Sequence, residues 1–384
     1  MVISLVSSTL YGCSIITNQD KQKIIKIATQ TPLTGGSAEM GQAIRMGAQL
    51  ALDQNKSKFE KLGYKIELVV YDDQSNPKKG VANAKLIGND SKIYAVVGHL
   101  NSDVAIPSSE VYEKYHVAMV SPANTVVEVT ERGFQTVNRI VGRDDLQGFA
   151  AGAFAVERLS AKKIFILHEE SLYGEGLAKA FQTITQHAGA KIVNFIEIPK
   201  NKKDFKEELQ LIIDSNPDLI YFGGFYSQGG LIIKQAREKG IKTPFMGGDG
   251  LDSSALVEMT KEAVKDTYLT SIAGDLTIND LGKKFQKDYH DAFGIIPDSV
   301  SVNGYDAMRV ILNGIEEAIK SNENKLPTRE QVMHSIRNTK DFEGVLTKVS
   351  FDHKGDNKYA SFYMYHFKEA KYPPELIEEV NYKQ

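Results

Sequence analysis

The strongest constraint on the fold is a regular alternation of short apolar runs with segments of helical periodicity. Between successive runs, apolar residues lie three or four positions apart, as on the buried face of a helix. In the first part of the chain, strands are predicted at residues 24–28, 65–71, 94–97 and 117–120, and helices at residues 39–54, at 78–88 and from Ser102 onward. This alternation indicates an α/β fold with a parallel sheet.

The same order of elements starts again after Arg143. Strands are predicted at residues 163–168, 191–198, 218–224 and 243–247, with helices between them. Asp204 and Glu207 form a capping pair at one predicted helix start. Beyond residue 270 the predicted elements are helices at 281–293, 301–320 and 331–338 and strands at 344–351 and 360–367. We therefore predict two Rossmann-like lobes with parallel-sheet cores, between which the chain crosses.

Length and charge narrow the class of protein. The chain has 384 residues, enough for two or three domains, and its net charge of −3 favours neither nucleic acid nor an anionic membrane as a partner. No run of about 18 or more apolar residues occurs, so the sequence predicts no membrane-spanning helix. A single cysteine excludes a disulfide and a cysteine-based metal site within one chain.

That cysteine, Cys13, follows an apolar run close to the N-terminus. The pattern is similar to a bacterial lipoprotein signal, in which lipid is added to the cysteine. The sequence departs from the pattern in two ways: no Lys or Arg precedes the apolar run, and Tyr11 is bulkier than the small residue usual there. We predict a signal and tether over residues 1–22, with a disordered apolar tail as the alternative.

The third predicted strand ends in a stretch suited to an anion. Gly98 closes the strand, and Asn101 and Ser102 stand where a helix begins. The backbone N–H groups at a helix start point outward and favour negative charge. A small carboxylate is the predicted ligand of this stretch. An ordinary strand-to-helix loop with a capping serine is the alternative.

Other strand ends carry suggestive residues, and ligands of open parallel sheets bind beyond these ends. The first lobe offers a second loop, at Ala123, Asn124 and Thr125. The second lobe offers Tyr173, Phe225 and Asp249. Hydroxyls and backbone donors suit a carboxylate, whereas an acid suits an ammonium, so the two lobes together would hold an α-amino acid. The alternatives are a turn role for Asp249 and aromatic packing for Tyr173 and Phe225.

Signatures of catalysis are missing from the sequence. It contains no GxGxxG, GxxxxGK[ST], GxSxG or HExxH motif. His99 and His168 stand at predicted strand ends, where a hydrogen-bonded structural role is the usual one. For Asp72 and Asp73, a place in the turn that ends a strand is a more common role than cation binding. We therefore predict no enzymatic activity, no cofactor and no metal.

A set of short motifs in a fixed order resembles a known family. The motifs lie at residues 32–36, 71–73, 97–102, 121–125, 173–178, 223–225, 245–250 and 342–345. Each is weak alone, but their order and spacing are specific. From Ile24 to Phe367 the chain resembles the periplasmic leucine/isoleucine/valine-binding proteins, which are type I solute-binding proteins of ABC transporters.

The resemblance implies roles for individual residues. Ser102 and Thr125 would bind the ligand carboxylate, the Ala123 carbonyl would accept from the ammonium, and Asp249 would pair with it. The other implied pocket residues are Leu100, Asn101, Asn124, Tyr173, Phe225 and Met40. Phe225 and Met40 depart from the family pattern, which has a tyrosine and another aromatic residue there, so the resemblance implies a branched-chain ligand without securing it.

The resemblance also implies an architecture and a setting. The N-terminal lobe is expected over residues 23–143 plus 273–347 and the C-terminal lobe over 144–272 plus 348–384, joined by three hinge crossings. The protein would be a monomer outside the cytoplasm, anchored through Cys13, and would deliver its ligand to a membrane permease. A ligand-sensing receptor domain of the same fold and a small-molecule enzyme are the alternatives.

Overall fold

The computed structural model describes residues 23–381, and Cys13 lies outside them. Within these residues no helix is long and apolar enough to cross a membrane. The chain forms two mostly parallel sheets, each covered by helices, and one two-stranded ribbon. The predicted class, a two-lobed α/β fold, is confirmed.

The first lobe is built on a five-stranded parallel sheet. Its elements are β1 (Lys23–Thr31), α1 (Ala38–Lys61), β2 (Tyr64–Asp72), α2 (Pro77–Asn89), β3 (Ile93–Gly98), α3 (Ser102–Tyr115), β4 (Ala118–Ser121), α4 (Glu128–Glu131) and β5 (Val137–Arg139). The strand order is β2-β1-β3-β4-β5. Every residue of β3 is buried, because helices cover both faces of a parallel sheet.

The second lobe repeats this architecture. Its elements are α5 (Asp144–Glu157), β6 (Lys163–Glu169), α6 (Leu172–His187), β7 (Lys191–Ile198), α7 (Lys206–Ser215), β8 (Leu219–Gly223), α8 (Tyr226–Glu238), β9 (Phe245–Gly247), α9 (Ser254–Thr260) and β10 (Thr267–Ser271). These strands run parallel to one another. A single 3₁₀ turn over Asp249–Leu251 follows β9.

The last part of the chain contributes to both lobes. Its elements are α10 (Asp280–Phe293), α11 (Ser299–Ser321), α12 (Arg329–Arg337), β11 (Phe342–Glu343), β12 (Lys348–Val349), β13 (Ser361–Phe367) and β14 (Glu375–Asn381). Helix α11 packs along α1 in the first lobe. Strands β13 and β14 extend the second sheet in antiparallel fashion, in the order β14-β13-β10-β9-β8-β6-β7.

Two local predictions are wrong. The strand predicted at 344–351 is reduced to β12, which pairs with β11 over two residues only. Helix α7 begins at Lys206 after Phe205, and Asp204 does not cap it through a capping box with Glu207. The Asp204 carboxylate instead accepts from the Lys206 N–H at 3.1 Å. The fully buried Phe205 ring fixes the chain at this point and sets where the helix starts.

Contacts of residues 355–357 bear on the third crossing, which the sequence analysis expected after residue 347. The backbone N–H of Arg139 donates to the carbonyl of Gly355 at 2.9 Å. The fully buried Arg139 guanidinium pairs with Asp356 at 2.6 Å, and the Thr130 hydroxyl donates to the same carboxylate. Residues up to about Asn357 thus pack on the first lobe, so we propose that the chain crosses between Asn357 and Ser361.

The buried ion pair between Arg139 and Asp356 predicts a large stability effect. Asp356→Ala leaves a guanidinium buried without its partner, so the free energy of unfolding should fall by about 3–5 kcal/mol. Asp280→Ala, which removes a fully exposed carboxylate on α10, should change it by less than about 1 kcal/mol. Urea unfolding of both variants measures this, and equal losses would contradict the prediction.

Candidate ligand-binding site

The predicted site residues gather where the strand order of each sheet reverses. In the first sheet β1 lies between β2 and β3, and in the second β6 lies between β7 and β8. Loops leave such a point in opposite directions, which opens a crevice at the carboxyl ends of the strands. The loops after β3 and β4 face this crevice in the first lobe, and those after β6, β8 and β9 face it in the second.

The first lobe presents donors and polar atoms without partners. Ser102 is the first residue of the 14-residue helix α3 and is almost completely buried. The Asn101 side chain precedes the helix without capping it, and its Oδ1 is buried without a hydrogen-bond partner. The Thr125 hydroxyl is likewise buried, without a well-aligned hydrogen bond. The helix start and the Thr125 hydroxyl can donate to an anion, whereas the Asn101 Oδ1 can only accept.

Asn124 connects the two loops of this half-site. Its Oδ1 accepts from the backbone N–H of His99 at 3.1 Å and from the Ser121 hydroxyl at 2.8 Å. Its Nδ2 donates to the Leu100 carbonyl at 3.0 Å. With both ends of its side chain engaged, Asn124 is suited to positioning the loops and not to direct contact with a ligand.

A buried polar network supports the loop from behind. The His99 ring lies 3.4 Å from Asp73 Oδ2 through Nδ1 and 3.3 Å from the Tyr112 hydroxyl through Nε2. The Tyr112 hydroxyl also donates to Gln30 Oε1 at 2.9 Å. His99 and Asp73 are both fully buried, which agrees with the structural roles predicted for them.

The second lobe presents Asp249. Its Oδ1 accepts from Gln147 Nε2 at 2.8 Å and from the Tyr173 hydroxyl at 3.0 Å. The Tyr173 oxygen in turn accepts from the backbone N–H of Gly250 at 2.9 Å. Burial raises the pKa of Asp249 to about 6, although the hydrogen bonds from Gln147 and Tyr173 oppose the shift. This carboxylate has donors but no cationic partner among the described residues.

A second carboxylate, which the sequence analysis missed, lies close by. Asp144 is the first residue of α5 and is 3% exposed, and neither of its carboxylate oxygens has a well-aligned hydrogen bond. Burial raises its pKa to about 8, and the nearby charge of Asp249 adds to the shift. The Thr125 hydroxyl and Arg139 act in the opposite direction. The sequence signal that could have identified Asp144 is its position at a helix start, directly after the first crossing.

Other unpaired polar atoms surround the two carboxylates. The Tyr221 hydroxyl is buried without a partner, and the charges of Asp144 and Asp249 help burial to raise its pKa well above the usual value. Gln147 Oε1 is also unpaired, while its Nε2 is held by Asp249 and by the Thr270 hydroxyl at 2.9 Å. Sequence reasoning missed Gln147, Tyr221 and Thr270, because core positions of helices and strands carry no distinctive pattern. Such a cluster of acceptors is suited to an ammonium group.

The apolar part of the predicted pocket belongs to one continuous core cluster. The members that were predicted from sequence are Met40, Leu100, Ala123, Tyr173 and Phe225, all buried. The Tyr173 and Phe225 rings have centroids 5.1 Å apart and planes inclined by 44°. The Phe225 N–H donates to the buried Glu169 carboxylate at 3.2 Å, which fixes the loop after β8. Met40 lies in the core on α1.

Residues 23–381 contain no group of three or more His, Cys, Asp or Glu side chains placed to hold a metal ion.

Comparisons with known proteins identify the family and the fold. A family model described as periplasmic binding protein matches residues 24–371. The leucine-, isoleucine-, valine-, threonine-, and alanine-binding protein of Pseudomonas aeruginosa is 33% identical over 345 residues, or 89% of each chain. The Leu/Ile/Val-binding protein BraC3 of Rhizobium johnstonii is 32% identical over 90% of this chain and 92% of its own.

A solved structure shares the fold over its whole length. The branched-chain amino acid transporter substrate binding protein LivJ of Streptococcus pneumoniae, in complex with isoleucine, has a TM-score of 0.84 at 26% identity and covers 94% of this chain and 100% of its own. The family model, the similar relatives and the shared fold all indicate the same family. The chain belongs to the type I periplasmic binding proteins, in the branch that contains the leucine/isoleucine/valine-binding proteins.

Proposed function

We propose that this protein binds a branched-chain α-amino acid in the crevice between its lobes and delivers it to an ABC importer. The observation that carries the proposal is the pair of buried carboxylates, Asp144 and Asp249, on the second lobe. Thr125 of the first lobe adjoins Asp144, whose backbone N–H donates to the Thr125 carbonyl at 2.8 Å, and the first lobe also offers the start of α3. One side offers acceptors for an ammonium and the other offers donors for a carboxylate.

Each predicted site residue has a role in this proposal. Ser102 and Thr125, with backbone N–H groups, bind the ligand carboxylate, and the Ala123 carbonyl accepts from its ammonium. Asp249 and Asp144 neutralise the ammonium, with Tyr173 and Gln147 holding Asp249 in place. The unpaired Oδ1 of Asn101 is an acceptor and would take a hydrogen bond from the ligand ammonium. Asn124 keeps the two loops of the first lobe in register.

The apolar cluster around Met40, Leu100 and Phe225 favours an aliphatic ligand side chain, and the ligands in the relatives' names are mostly branched-chain amino acids. We propose that the protein acts as a binding protein and not as an enzyme. As in periplasmic binding proteins of ABC importers, which are extracytoplasmic, the lobes close on the ligand by a hinge motion. We propose that the protein works as a monomer, which light scattering of the ligand-bound protein would test.

The two charges of the ligand can be tested separately. Ser102→Ala should weaken leucine binding about ten- to a hundredfold but barely affect leucinamide, which lacks the carboxylate. Asp249→Ala should weaken leucine by a similar factor but barely affect 4-methylpentanoate, which lacks the ammonium. Calorimetry measures the affinities, with Asp204→Ala on the surface as the control. If both variants bind leucine like the wild type, the site is wrongly assigned.

The raised pKa values of the two acids predict pH-dependent binding. Both lie above the usual value for Asp, so protons compete with the ammonium and the ionised pair is lost as the pH falls through about 8 and then about 6. Leucine affinity should therefore decrease by about tenfold or more from pH 8 to pH 5, and binding at pH 7 should release protons. Calorimetry in two buffers of different ionisation enthalpy counts them. A constant affinity without proton release would exclude this account.

We also propose that lipid on Cys13 holds the protein at the outer face of a membrane. Cys13→Ser should move the protein from the membrane fraction to the soluble fraction and abolish incorporation of a labelled fatty acid, since a diacylated cysteine anchors stably. Its affinity for leucine should stay unchanged, because the folded body starts after the tether. Membrane retention of the variant would argue against the anchor.

A further inference from the structure

One contact between the lobes lies beside the ligand site but outside it. Asp103 follows Ser102 in the first turn of α3, and its Oδ1 accepts from the backbone N–H of Leu172 at 3.3 Å. Leu172 is the first residue of α6, in the other lobe. The Nζ of Lys200, also in that lobe, lies 3.9 Å from the same oxygen. The Asp103 carboxylate of the first lobe thus contacts the start of α6 and lies near the Lys200 ammonium, both in the second lobe.

The surroundings strengthen this contact. The Asp103 side chain is only 21% exposed, so water screens its charge less than at an open surface. Ser171, the capping residue of α6, already accepts from the N–H of Gly174 at 2.8 Å. The Ser171 side chain does not accept from the Leu172 N–H, which donates to Asp103 instead. Negative charge at a helix start is favourable in itself.

A second group of contacts between the lobes has a different location. Asp298 of the first lobe accepts from the Ser254 N–H at 3.1 Å, and Ser299 Oγ donates to the Asp252 carbonyl at 3.1 Å. The Asp252 carboxylate accepts from Ser271, at the end of β10, where the chain crosses between the lobes. These contacts adjoin a crossing and belong to the hinge region.

The Asp103 contact, in contrast, does not adjoin a crossing of the chain between the lobes. Helix α3 follows β3 and helix α6 follows β6, and no crossing joins either helix to the opposite lobe. The contact therefore depends on the lobes being closed, and opening exposes the Asp103 carboxylate and the Leu172 N–H to water.

We propose that Asp103 is a positioning residue that holds the closed state and so sets the lifetime of the bound ligand. The inference rests on the proposed function, because it needs a ligand that the closed lobes retain. Asp103 acts on the equilibrium between open and closed lobes and not on the ligand. Its loss should raise the dissociation rate and leave the association rate nearly unchanged, and it should do so equally for leucine, isoleucine and valine.

The donor can be removed without disturbing the helix. Leu172→Pro deletes the N–H at the first helical position, where proline is well tolerated. The preceding Ser171 has extended dihedrals (φ −149°, ψ 155°), which are compatible with a following proline. The Leu172 side chain is already 42% exposed, so its loss removes little packing.

The test is a double-mutant cycle on dissociation rates measured by stopped flow. Asp103→Ala and Leu172→Pro should each accelerate leucine release about five- to thirtyfold, and the double variant should be no faster than Asp103→Ala alone. Lys200→Ala, run in parallel, should have a smaller effect that vanishes in the Asp103→Ala background. Glu110→Gln, which removes an exposed charge from the same helix, should leave release unchanged.

The outcomes separate this inference from the proposed function. The role of Asp103 would be overturned by any of three results, none of which affects amino-acid binding itself. The fold-increases in dissociation rate of the two single variants could multiply in the double variant, or the single variants could release leucine at the wild-type rate. The increase could also differ among leucine, isoleucine and valine. A wild-type protein that binds none of the three would instead overturn the proposed function.

Discussion

Two buried carboxylates, each without a directly paired cation among the described residues, are the constraint on which the rest of the site depends. Taking a carboxylate out of water costs several kcal/mol unless a positive charge or good donors compensate. Asp249 has two donors, whereas Asp144 has no well-aligned hydrogen bond, and Arg139, whose charge acts on Asp144, is hydrogen-bonded to Asp356. An ammonium bound between the two acids would offset the cost. A site built this way is most stable when occupied.

The first lobe favours a negative charge, whereas the two acids of the second lobe favour a positive one. Two sheets with reversed strand order place their loops around one crevice, and each lobe contributes a different chemistry. The first lobe presents a helix start, made rigid by Asn124 and by the network of His99, Asp73 and Tyr112. The second presents the acids. In the proposed function, a zwitterion contacts both halves when the lobes close, which would couple recognition to closure.

Much of this could be predicted from the sequence. Alternating strand and helix patterns indicated both lobes. Residues at strand ends led to the predictions for Ser102, Thr125, Tyr173 and Asp249, whose roles as ligand contacts stay predictions. Asp144 was missed because it starts a helix directly after a crossing, a place that no strand-end rule marks. The third crossing that we propose after Asn357 was not predicted either, since the pairing of Arg139 with Asp356 joins residues 217 positions apart, which local patterns cannot reveal.

The most direct test of the account is a crystal structure of the protein with leucine at neutral pH. The account predicts the ligand carboxylate at the start of α3, beside Ser102 and Thr125, and the ammonium within hydrogen-bond distance of both Asp144 and Asp249. A leucine bound elsewhere, or one whose ammonium points away from the two acids, would contradict it.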